Sequence, residues 1–479
     1  MEKKSTMNLI TDNLEINPNE QKIKSRHIMI ICEEMAILPL IIEKLKKDVK
    51  ERNIKLLYGS YFNEDKEIQT YHDLKNVANL IADTNIIVLC NQEQLFEPLY
   101  DVLNQKYTVI GNKYISNVSF GASTTRVFIN PTSRIVVIMP KERAYTDLSP
   151  AILNRFEKQL VTSNDFLSEI GKNYQQEIQN YFGRIKKITS TKTSQLLAGF
   201  HPDLISSLSF KLQEKESKLT KHKTIPHQDY WHKIAKLGTM IHLKKHLQQK
   251  QEHHHLNEFE ETLQKDLDNY SQNTASDLKD LLDKISKKEN EKENNLIILT
   301  NSPPFDLENF YKNETKNYTI INITNFGKTD DFNNSINSHL KEENKKAIFI
   351  QFEISSDKNI MKSFQHIKSL IESNENFEKK ERQTIILFVH LSSSENQTFR
   401  ICFEEKWEIY YLDDLNPDFK TIDTFLLPFD QIYEEKEKQE KQEKEKQEKQ
   451  EKENKKNKEN KKNKNQIYFI KFINYPYKN

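Results

Sequence analysis

The order of apolar segments between residues 26 and 140 constrains the fold more than any other feature of the sequence. Short runs rich in β-branched residues alternate with segments whose apolar residues recur at helical spacing. The runs are Arg26–Cys32, Ile54–Gly59, Asn85–Cys90 and Arg134–Met139, and the helical segments are Met35–Lys50, Tyr71–Ala82 and Leu95–Gln105. Strands that alternate with helices usually form a parallel sheet covered by helices on both faces. We therefore predict a doubly wound α/β domain over residues 25–165, with a hairpin inserted at Tyr107–Asn130.

The rest of the chain divides into regions of different composition. Helical spacing without strands predicts a helical subdomain at residues 166–290, and strand-like runs from Asn295 onward predict a second, more degenerate α/β unit at 291–430. Residues 431–466 consist almost wholly of Lys, Glu, Gln and Asn, which predicts a low-complexity spacer without a core. The polar residues 1–24 are predicted to be disordered, and residues 467–479 are interpreted as a truncated or unassigned C-terminus.

Charge and cysteine content exclude several classes of protein. The chain has 72 Lys and Arg against 71 Asp and Glu, so its net charge of +1 predicts no nucleic-acid partner. Cys32, Cys90 and Cys402 form no Cys-x-x-Cys pair, which argues against a disulfide framework, and Cys32 and Cys90 end apolar runs where a buried thiol is common. No apolar run has the length of a signal peptide or a transmembrane segment, so we predict a cytoplasmic protein.

The segment from Asp147 to Gln159 carries the clearest functional signal. It reads Asp-Leu-Ser-Pro-Ala-Ile-Leu-Asn-Arg-Phe-Glu-Lys-Gln and follows the apolar run that ends at Met139. A strand, a short loop and then a helix with Asn-Arg-Phe-Glu resembles the way AAA+ ATPase modules present an arginine to a neighbouring nucleotide. A guanidinium suits this role because it stays charged and contacts several phosphate oxygens at once.

Arg155 is therefore the candidate catalytic residue, as an arginine finger acting in trans, and Asn154 and Glu157 are its supporting neighbours. The alternative is that Arg155 is a surface arginine beside a core residue, Phe156.

The other parts of an ATP site are missing from the sequence. A phosphate loop requires Gly-x-x-x-x-Gly-Lys-Ser/Thr, and only Gly327-Lys328-Thr329 approaches this pattern, with Asn322 at the position of the first glycine. A polar strand-to-helix loop is the simpler interpretation there. The run Asn85–Cys90 is followed by Asn91-Gln92-Glu93, which lacks the acidic pair expected to hold Mg²⁺. The run ending at Met139-Pro140 lacks the polar residue expected to contact the γ-phosphate.

Two further pairs of residues resemble metal ligands. His242 and His246 lie one helical turn apart, but Leu243 occupies the position of the glutamate that a His-Glu-x-x-His protease needs. A polar helix face explains them better. Asp413-Asp414 could bind Mg²⁺, but a turn at the end of a strand explains them more simply. The sequence therefore predicts neither a cofactor nor a metal in this chain.

Several stretches also resemble the mysterin family, giant AAA+ ubiquitin ligases with a RING domain, over roughly Ser25 to Leu415. The matching stretches are Ser25–Ile30, Leu56–Phe62, Leu99–Tyr107, Ile152–Lys158 and Tyr411–Leu415. Of these, Leu-Tyr-Asp-Val-Leu-Asn-Gln at Leu99–Gln105 is the most specific, because no general requirement of a fold explains it. The chain resembles the part of mysterin that follows the active ATPase modules, where the family's AAA+ units are degenerate.

The resemblance implies ATP-dependent remodelling coupled to ubiquitin transfer, in the cytosol and on lipid droplets. The partners it implies are other AAA+ modules, which would hold ATP and Mg²⁺, and a RING region of the same or a partner polypeptide. The first hypothesis is therefore a scaffold segment or split subunit of such a ligase. A stand-alone, non-catalytic interaction protein on the same fold is the alternative, and a weak nucleotide sensor is the third.

Overall fold

Two parallel five-stranded sheets organise the part of the chain that the structure, a computed structural model, describes. The described residues are 4–15, 25–49, 52–189, 192–218, 232–273, 281, 295–300, 318–341, 347–353, 360–373, 384–391, 399–404 and 406–412. The spacer predicted at 431–466, the C-terminus at 467–479 and Asp413-Asp414 lie outside them. Residues 1–416 cluster into one compact unit, so the domain boundaries at 165 and 290 stay predictions.

The strands of the described residues follow the chain order predicted from the apolar runs. They are β1 His27–Cys32, β2 Asn53–Tyr58, β3 Asn85–Cys90, β4 Thr108–Ile110, β5 Lys113–Phe120, β6 Ser123–Ile129, β7 Arg134–Pro140, β8 Phe156–Val161, β9 Asn295–Thr300, β10 Tyr318–Asn322, β11 Ala347–Glu353, β12 Thr384–His390 and β13 Trp407–Leu412. The helices are α1 Thr6–Leu14, α2 Leu38–Asp48, α3 Lys66–Leu80, α4 Tyr100–Leu103, α5 Lys141–Thr146, α6 Pro150–Leu153, α7 Glu169–Thr189, α8 Thr193–Leu196, α9 Pro202–Lys218, α10 Leu237–His253, α11 Glu258–Asn273, α12 Thr329–Leu340 and α13 Ile360–Ser373.

The first sheet has the strand order β2-β3-β7-β1-β8, with all neighbours parallel. Alternate residues of its central strands enter different cores, because successive side chains of a strand point to opposite faces. Ile28 and Ile30 pack with α1 and α2, whereas Met29 and Ile31 pack with α3, α4 and α5. The predicted doubly wound α/β architecture is therefore confirmed. The inserted hairpin has a third strand, since β4, β5 and β6 form a small antiparallel sheet.

The second sheet repeats the topology of the first. Its order is β10-β11-β12-β9-β13, again all parallel. If the parallel strands of each unit are numbered from one to five along the chain, both sheets have the order 2-3-4-1-5. The helical segment from α7 to α11 shares one hydrophobic core with a face of this second sheet, where Ile178 and Leu263 join Ile350 and Leu387. The predicted helices are present, and they pack mainly on the second unit.

The prediction of disorder for residues 1–24 is wrong for residues 6–14, which form α1. Ser5 caps this helix, since its hydroxyl accepts a hydrogen bond from the amide of Asn8. Met7, Ile10 and Leu14 are buried in the core below the first sheet. Their spacing of three and four residues gives the helix one apolar face, and burial of that face offsets the entropy cost of ordering the segment.

The loop at residues 59–65 joins the two α/β units. Phe62 comes from the first unit but lies in the core of the second, where its ring centroid is 6.0 Å from Phe332 and 5.7 Å from His366. The amide of Tyr61 donates to Nδ1 of His366 at 3.3 Å, and burial lowers the pKa of that histidine to about 4. Phe62 therefore acts as a plug that fixes one sheet against α12 and α13.

We predict that Phe62→Ala lowers the free energy of unfolding by about 3–5 kcal/mol. The substitution leaves a cavity between the two units, and the packing of the units on each other prevents them from moving in to fill it. Urea denaturation of the full chain, followed by far-UV circular dichroism, measures the change. Tyr145→Ala is the matched control, since Tyr145 is an aromatic residue with 59% exposure, and it should cost less than about 0.5 kcal/mol. Equal losses in the two variants would contradict the role of Phe62.

Candidate functional site

Arg155 lies in the turn that connects α6 to β8, and this corrects the prediction of a helix that carries Asn-Arg-Phe-Glu. The helix starts at Pro150, with Ser149 as its cap, and ends at Leu153 after four residues. Phe156 is 1% exposed and starts strand β8, which pairs with β1 over six residues. Pairing with a central strand and burial of Phe156 override the local helical tendency of the segment. The expectation that Phe156 belongs to the core is confirmed.

The side chain of Arg155 is half-buried and stacks on an aromatic ring. Its guanidinium carbon lies 4.1 Å from the ring centroid of Tyr100, which is itself 51% exposed. No carboxylate of the described residues forms an ion pair with it. A stacked guanidinium keeps the N–H groups at its edge available for an anion. Tyr100 belongs to the Leu99–Tyr107 stretch, so two of the family-like stretches meet at this position.

The two supporting residues act on the backbone around Arg155 and on α1. The carbonyl of Asn154 accepts a hydrogen bond from the guanidinium of Arg26 at 2.9 Å. The carboxylate of Glu157 accepts from Nδ2 of Asn13 at 2.6 Å and from Nε2 of Gln159 at 3.0 Å. These bonds hold the turn against the start of β1 and the end of α1. Asn154 and Glu157 therefore position the turn that carries Arg155.

Arg155 lies at the opposite end of the first sheet from the loop that follows β1. Phe156 pairs with His27, the first residue of β1, so Arg155 is at the amino edge of the parallel strands. Ligands of open α/β sheets bind beyond the carboxyl edge. Six strand residues separate the two edges by about 20 Å. Arg155 is therefore too far from the carboxyl edge to contact a ligand held there by its own sheet.

The carboxyl edge of the first sheet carries ion pairs between its own residues. After β1, Glu33 pairs with Lys141 at 2.8 Å and Glu34 pairs with Arg400. After β3, Glu93 pairs with Arg143 at 2.7 Å. Two carboxylates thus follow β1, at the place where a phosphate loop would present backbone amides and a lysine. The lysine and arginine at this position are already paired with these carboxylates, so they offer little positive charge to a phosphate.

Gly59 and Asn91 explain why this edge is closely packed. A Cβ atom at Gly59 would lie 1.8 Å from the carbonyl oxygen of Asn91, so only glycine fits there. Asn91 has a φ of 54°, in the left-handed region, and its side chain accepts from Arg143 at 3.2 Å. Gln92 is buried and donates to Asp73 at 2.6 Å. The three residues after β3 therefore have structural partners.

The Gly327-Lys328-Thr329 loop is filled by acidic side chains of the first unit. Thr329 starts α12, and its amide donates to the carboxylate of Asp65 at 2.9 Å. Lys328 faces Glu64 at 3.8 Å. The loop also follows β10, an edge strand, rather than the central strand β9. Asp65 occupies the place at the helix N-terminus that an anion would take, so the alternative of a polar strand-to-helix loop is the better interpretation.

The metal-ligand candidates of the sequence do not gather into a site. His242 is exposed on α10 and His246 lies one turn further on, half-buried. Within the described ranges, no group of three or more His, Cys, Asp or Glu side chains has an arrangement that could hold a metal ion.

The structure brings together a Cys–His pair that the sequence analysis missed. Sγ of Cys402 lies 4.0 Å from Nε2 of His201, and Asp203 lies 3.9 Å from Nδ1 of the same ring. Nε2 is 2.6 Å from the carbonyl of Ile401, so it carries the proton and cannot accept one from the thiol. Burial raises the pKa of Cys402 well above its usual value. The pair therefore serves packing, and the 201-residue separation left no local signal.

A buried charged triad was also missed. Lys368 on α13 is 3% exposed and forms ion pairs with Glu404 and, at 3.2 Å, with Glu372. Nε1 of Trp407 donates to Glu372 at 2.8 Å. Burial raises the pKa of Glu404 to about 7, because one lysine cannot compensate two carboxylates; Glu372 keeps a lowered pKa, since Lys368 and Trp407 outweigh its burial. The sequence offered only the spacing of four residues between Lys368 and Glu372, which is as common on exposed helices.

Comparison with known proteins relates the first α/β unit to one family. Residues 17–167 match a family model described as the RNF213 AAA domain, and RNF213 is the protein also called mysterin. Over this segment the chain is similar to the AAA+ part of mysterin. It is 23% identical over 232 residues to mouse E3 ubiquitin-protein ligase RNF213 and 23% identical over 233 residues to the human protein, in each case over 45% of this chain. Zebrafish rnf213-beta is 22% identical over 233 residues, or 47% of this chain.

The resemblance to the mysterin family predicted from short stretches is therefore confirmed. The chain spans only about 4% of the length of the relatives it matches, so their ligase activity belongs to much longer proteins. No helix among the described residues is long and apolar enough to cross a membrane.

The Lys368–Glu372–Glu404 triad generates a prediction about pH. Glu404 has a pKa of about 7 in the folded protein against an ordinary value of 4.5, so the folded state binds this proton more tightly than the unfolded state. The resulting stabilisation is complete below pH 4.5 and is lost as the pH rises to about 7. We predict that Glu404→Gln removes this part of the pH dependence.

Urea denaturation at intervals between pH 5 and pH 8 measures the effect. As the pH rises, the wild type should lose unfolding free energy relative to Glu404→Gln, because the glutamine does not titrate. Glu97→Gln, at an exposed position, should run parallel to the wild type at every pH. A constant difference for Glu404→Gln would contradict the raised pKa.

Proposed function

We propose that this chain is a scaffold segment or split subunit of a mysterin-like AAA+ ATPase and ubiquitin ligase, and that Arg155 contacts the nucleotide of a neighbouring module. The position of Arg155 supports this proposal. It lies at the amino edge of the first sheet, partly exposed, stacked on Tyr100 and without a carboxylate partner in the described part of the chain. A partly exposed guanidinium without a carboxylate partner is available to a phosphate outside the chain.

We propose further that the chain itself is degenerate as an ATPase. The residues that follow β1 and β3 do not fit a nucleotide phosphate or Mg²⁺, because Glu33, Glu34 and Glu93 are neutralised by cations of the same chain. In the second unit, Asp65 takes the N-terminus of α12. ATP and Mg²⁺ would then be held by neighbouring AAA+ modules, and ubiquitin transfer by a RING region of the same or a partner polypeptide. A cytoplasmic location, with recruitment to lipid droplets, follows from the same resemblance.

The alternative function is a stand-alone interaction protein without catalysis. The observation that favours it is the extent of the internal ion pairing, since both candidate nucleotide edges are filled by carboxylates rather than prepared for phosphate. The two functions differ in whether Arg155 has a partner nucleotide.

We predict that Arg155→Ala lowers ATP hydrolysis by the assembly that contains this chain at least about tenfold, since arginine fingers contribute larger factors than this in other nucleotide hydrolases. The variant is introduced into the native gene, and the assembly is purified through this chain. Arg184→Ala is the matched control, because Arg184 also stacks on an aromatic ring, 3.7 Å from the centroid of Phe259. Unchanged hydrolysis by Arg155→Ala in an active assembly would support the interaction protein instead.

The size of the native product separates the same two functions independently of Arg155. An antibody raised against residues 166–216 should detect a very large polypeptide if the chain is a segment of a ligase. A band near 56.9 kDa that purifies without any ATPase activity would contradict both forms of the ligase proposal.

A further inference from the structure

A polar cleft runs beside β2, between the first sheet and α13, and takes no part in the Arg155 proposal. It consists of a cavity of 780 Å³ and a smaller one of 230 Å³. The two share the wall residues Ile42, Lys46, Leu56, Ser369 and Glu372, so they lie side by side. This volume is in the range that proteins use for small molecules.

The walls of the cleft carry more positive than negative charge. The cations are Lys46, Lys47, Arg52, Lys55, Lys368 and Lys406, and the carboxylates are Glu43, Glu372 and Glu404. Each carboxylate is already paired within the protein. Glu43 pairs with Lys47 at 2.8 Å, and Glu372 and Glu404 both pair with Lys368.

The other four cations form no close ion pair with a carboxylate of the described residues, and Lys46 has a longer-range attraction to Glu372. Lys46, Lys55 and Lys406 are exposed at the walls, whereas Arg52 is only 7% exposed. The terminal nitrogens of Arg52 donate to the carbonyls of Leu14 at 2.6 Å, Asn85 at 3.1 Å and Thr132, and its Nε has no hydrogen-bond partner in the described ranges. A buried guanidinium that meets only neutral carbonyls is costly, and a bound anion would offset this cost.

Most of the remaining wall residues are apolar, and the polar ones among them can donate hydrogen bonds to phosphate. Asn53, Asn76 and Asn79 supply amide donors, and Ser369 and Ser373 supply hydroxyls. Among the described residues that line the two cavities there is no aromatic side chain on which a base could stack. Because the cations are spread along the cleft, they suit a ligand with several negatively charged groups better than a ligand with a single carboxylate.

We propose that this cleft binds a small molecule that carries two or more phosphate groups, and that Lys46, Arg52 and Lys55 recognise the phosphates. The ligand lies between the first sheet and α13, so it bridges the two α/β units. This site is independent of Arg155, which lies at the amino edge near β8. A free inorganic polyphosphate and a nucleoside polyphosphate share the chemistry that the cleft recognises.

Isothermal titration of the full chain with inorganic tripolyphosphate tests the proposal. Wild type should bind it, and the double variant Lys46→Ala/Lys55→Ala should bind at least about tenfold more weakly, because two charge-assisted contacts are lost. Titration with ATP in a second arm distinguishes the sources. If wild type binds ATP and tripolyphosphate with equal affinity, the cleft recognises the phosphates alone. If wild type binds ATP more tightly, and Lys46→Ala/Lys55→Ala weakens that binding, the occupant is a nucleotide.

Lys186→Ala/Lys187→Ala is the matched control, since it removes two exposed lysines from the last turn of α7. It should bind tripolyphosphate like the wild type, and both variants should keep the wild-type circular dichroism spectrum. The proposal is overturned if wild type binds neither ligand at about 1 mM, or if the control loses as much affinity as the cleft variant. ATP binding that the cleft variant leaves unchanged would also overturn it, because the nucleotide would then lie elsewhere.

Discussion

The contact between Asp65 and the start of α12 is the constraint on which the arrangement of the described residues depends. Asp65 belongs to the first α/β unit, and its carboxylate caps a helix of the second, where it accepts from the amide of Thr329 at 2.9 Å. Ser60 donates to the same carboxylate at 2.6 Å. Because the cap, the Phe62 plug and the His366 contact come from one loop, the two sheets are held in a single orientation. The cleft beside β2 exists only because of that orientation.

The same contact removes a site that the sequence suggested. An N-terminal helix turn attracts anions, and in many nucleotide-binding proteins the anion is a phosphate. Here it is a side chain from the other unit. At the first sheet, Glu33 and Glu34 likewise meet Lys141 and Arg400 instead of a ligand. Carboxylates of the chain itself thus lie beside cationic groups or a helix N-terminus at both edges.

Different parts of the sequence were informative to different degrees. The strands β1, β3 and β7 were predicted nearly to the residue, because each is a continuous apolar run buried on both faces. The segment around Phe156 was assigned to the wrong element, since edge strand β8 has a polar sequence and forms only by pairing with β1. The helix predicted at Leu95–Gln105 is observed only as the short α4. Pro98 lacks an amide hydrogen and disfavours the helical conformation of Glu97.

The sequence alone determined the two α/β patterns, the burial of Cys32 and Cys90, the candidate Arg155 and the resemblance to mysterin, because these depend on local composition and on short stretches of residues. Tertiary structure decided which groups meet. The stacking of Arg155 on Tyr100, the pairing of Lys368 with Glu404, and the capping of Thr329 by Asp65 join residues 36 to 264 positions apart. Such contacts are set by strand order and by the packing of one unit on the other, and neither has a local pattern in the chain.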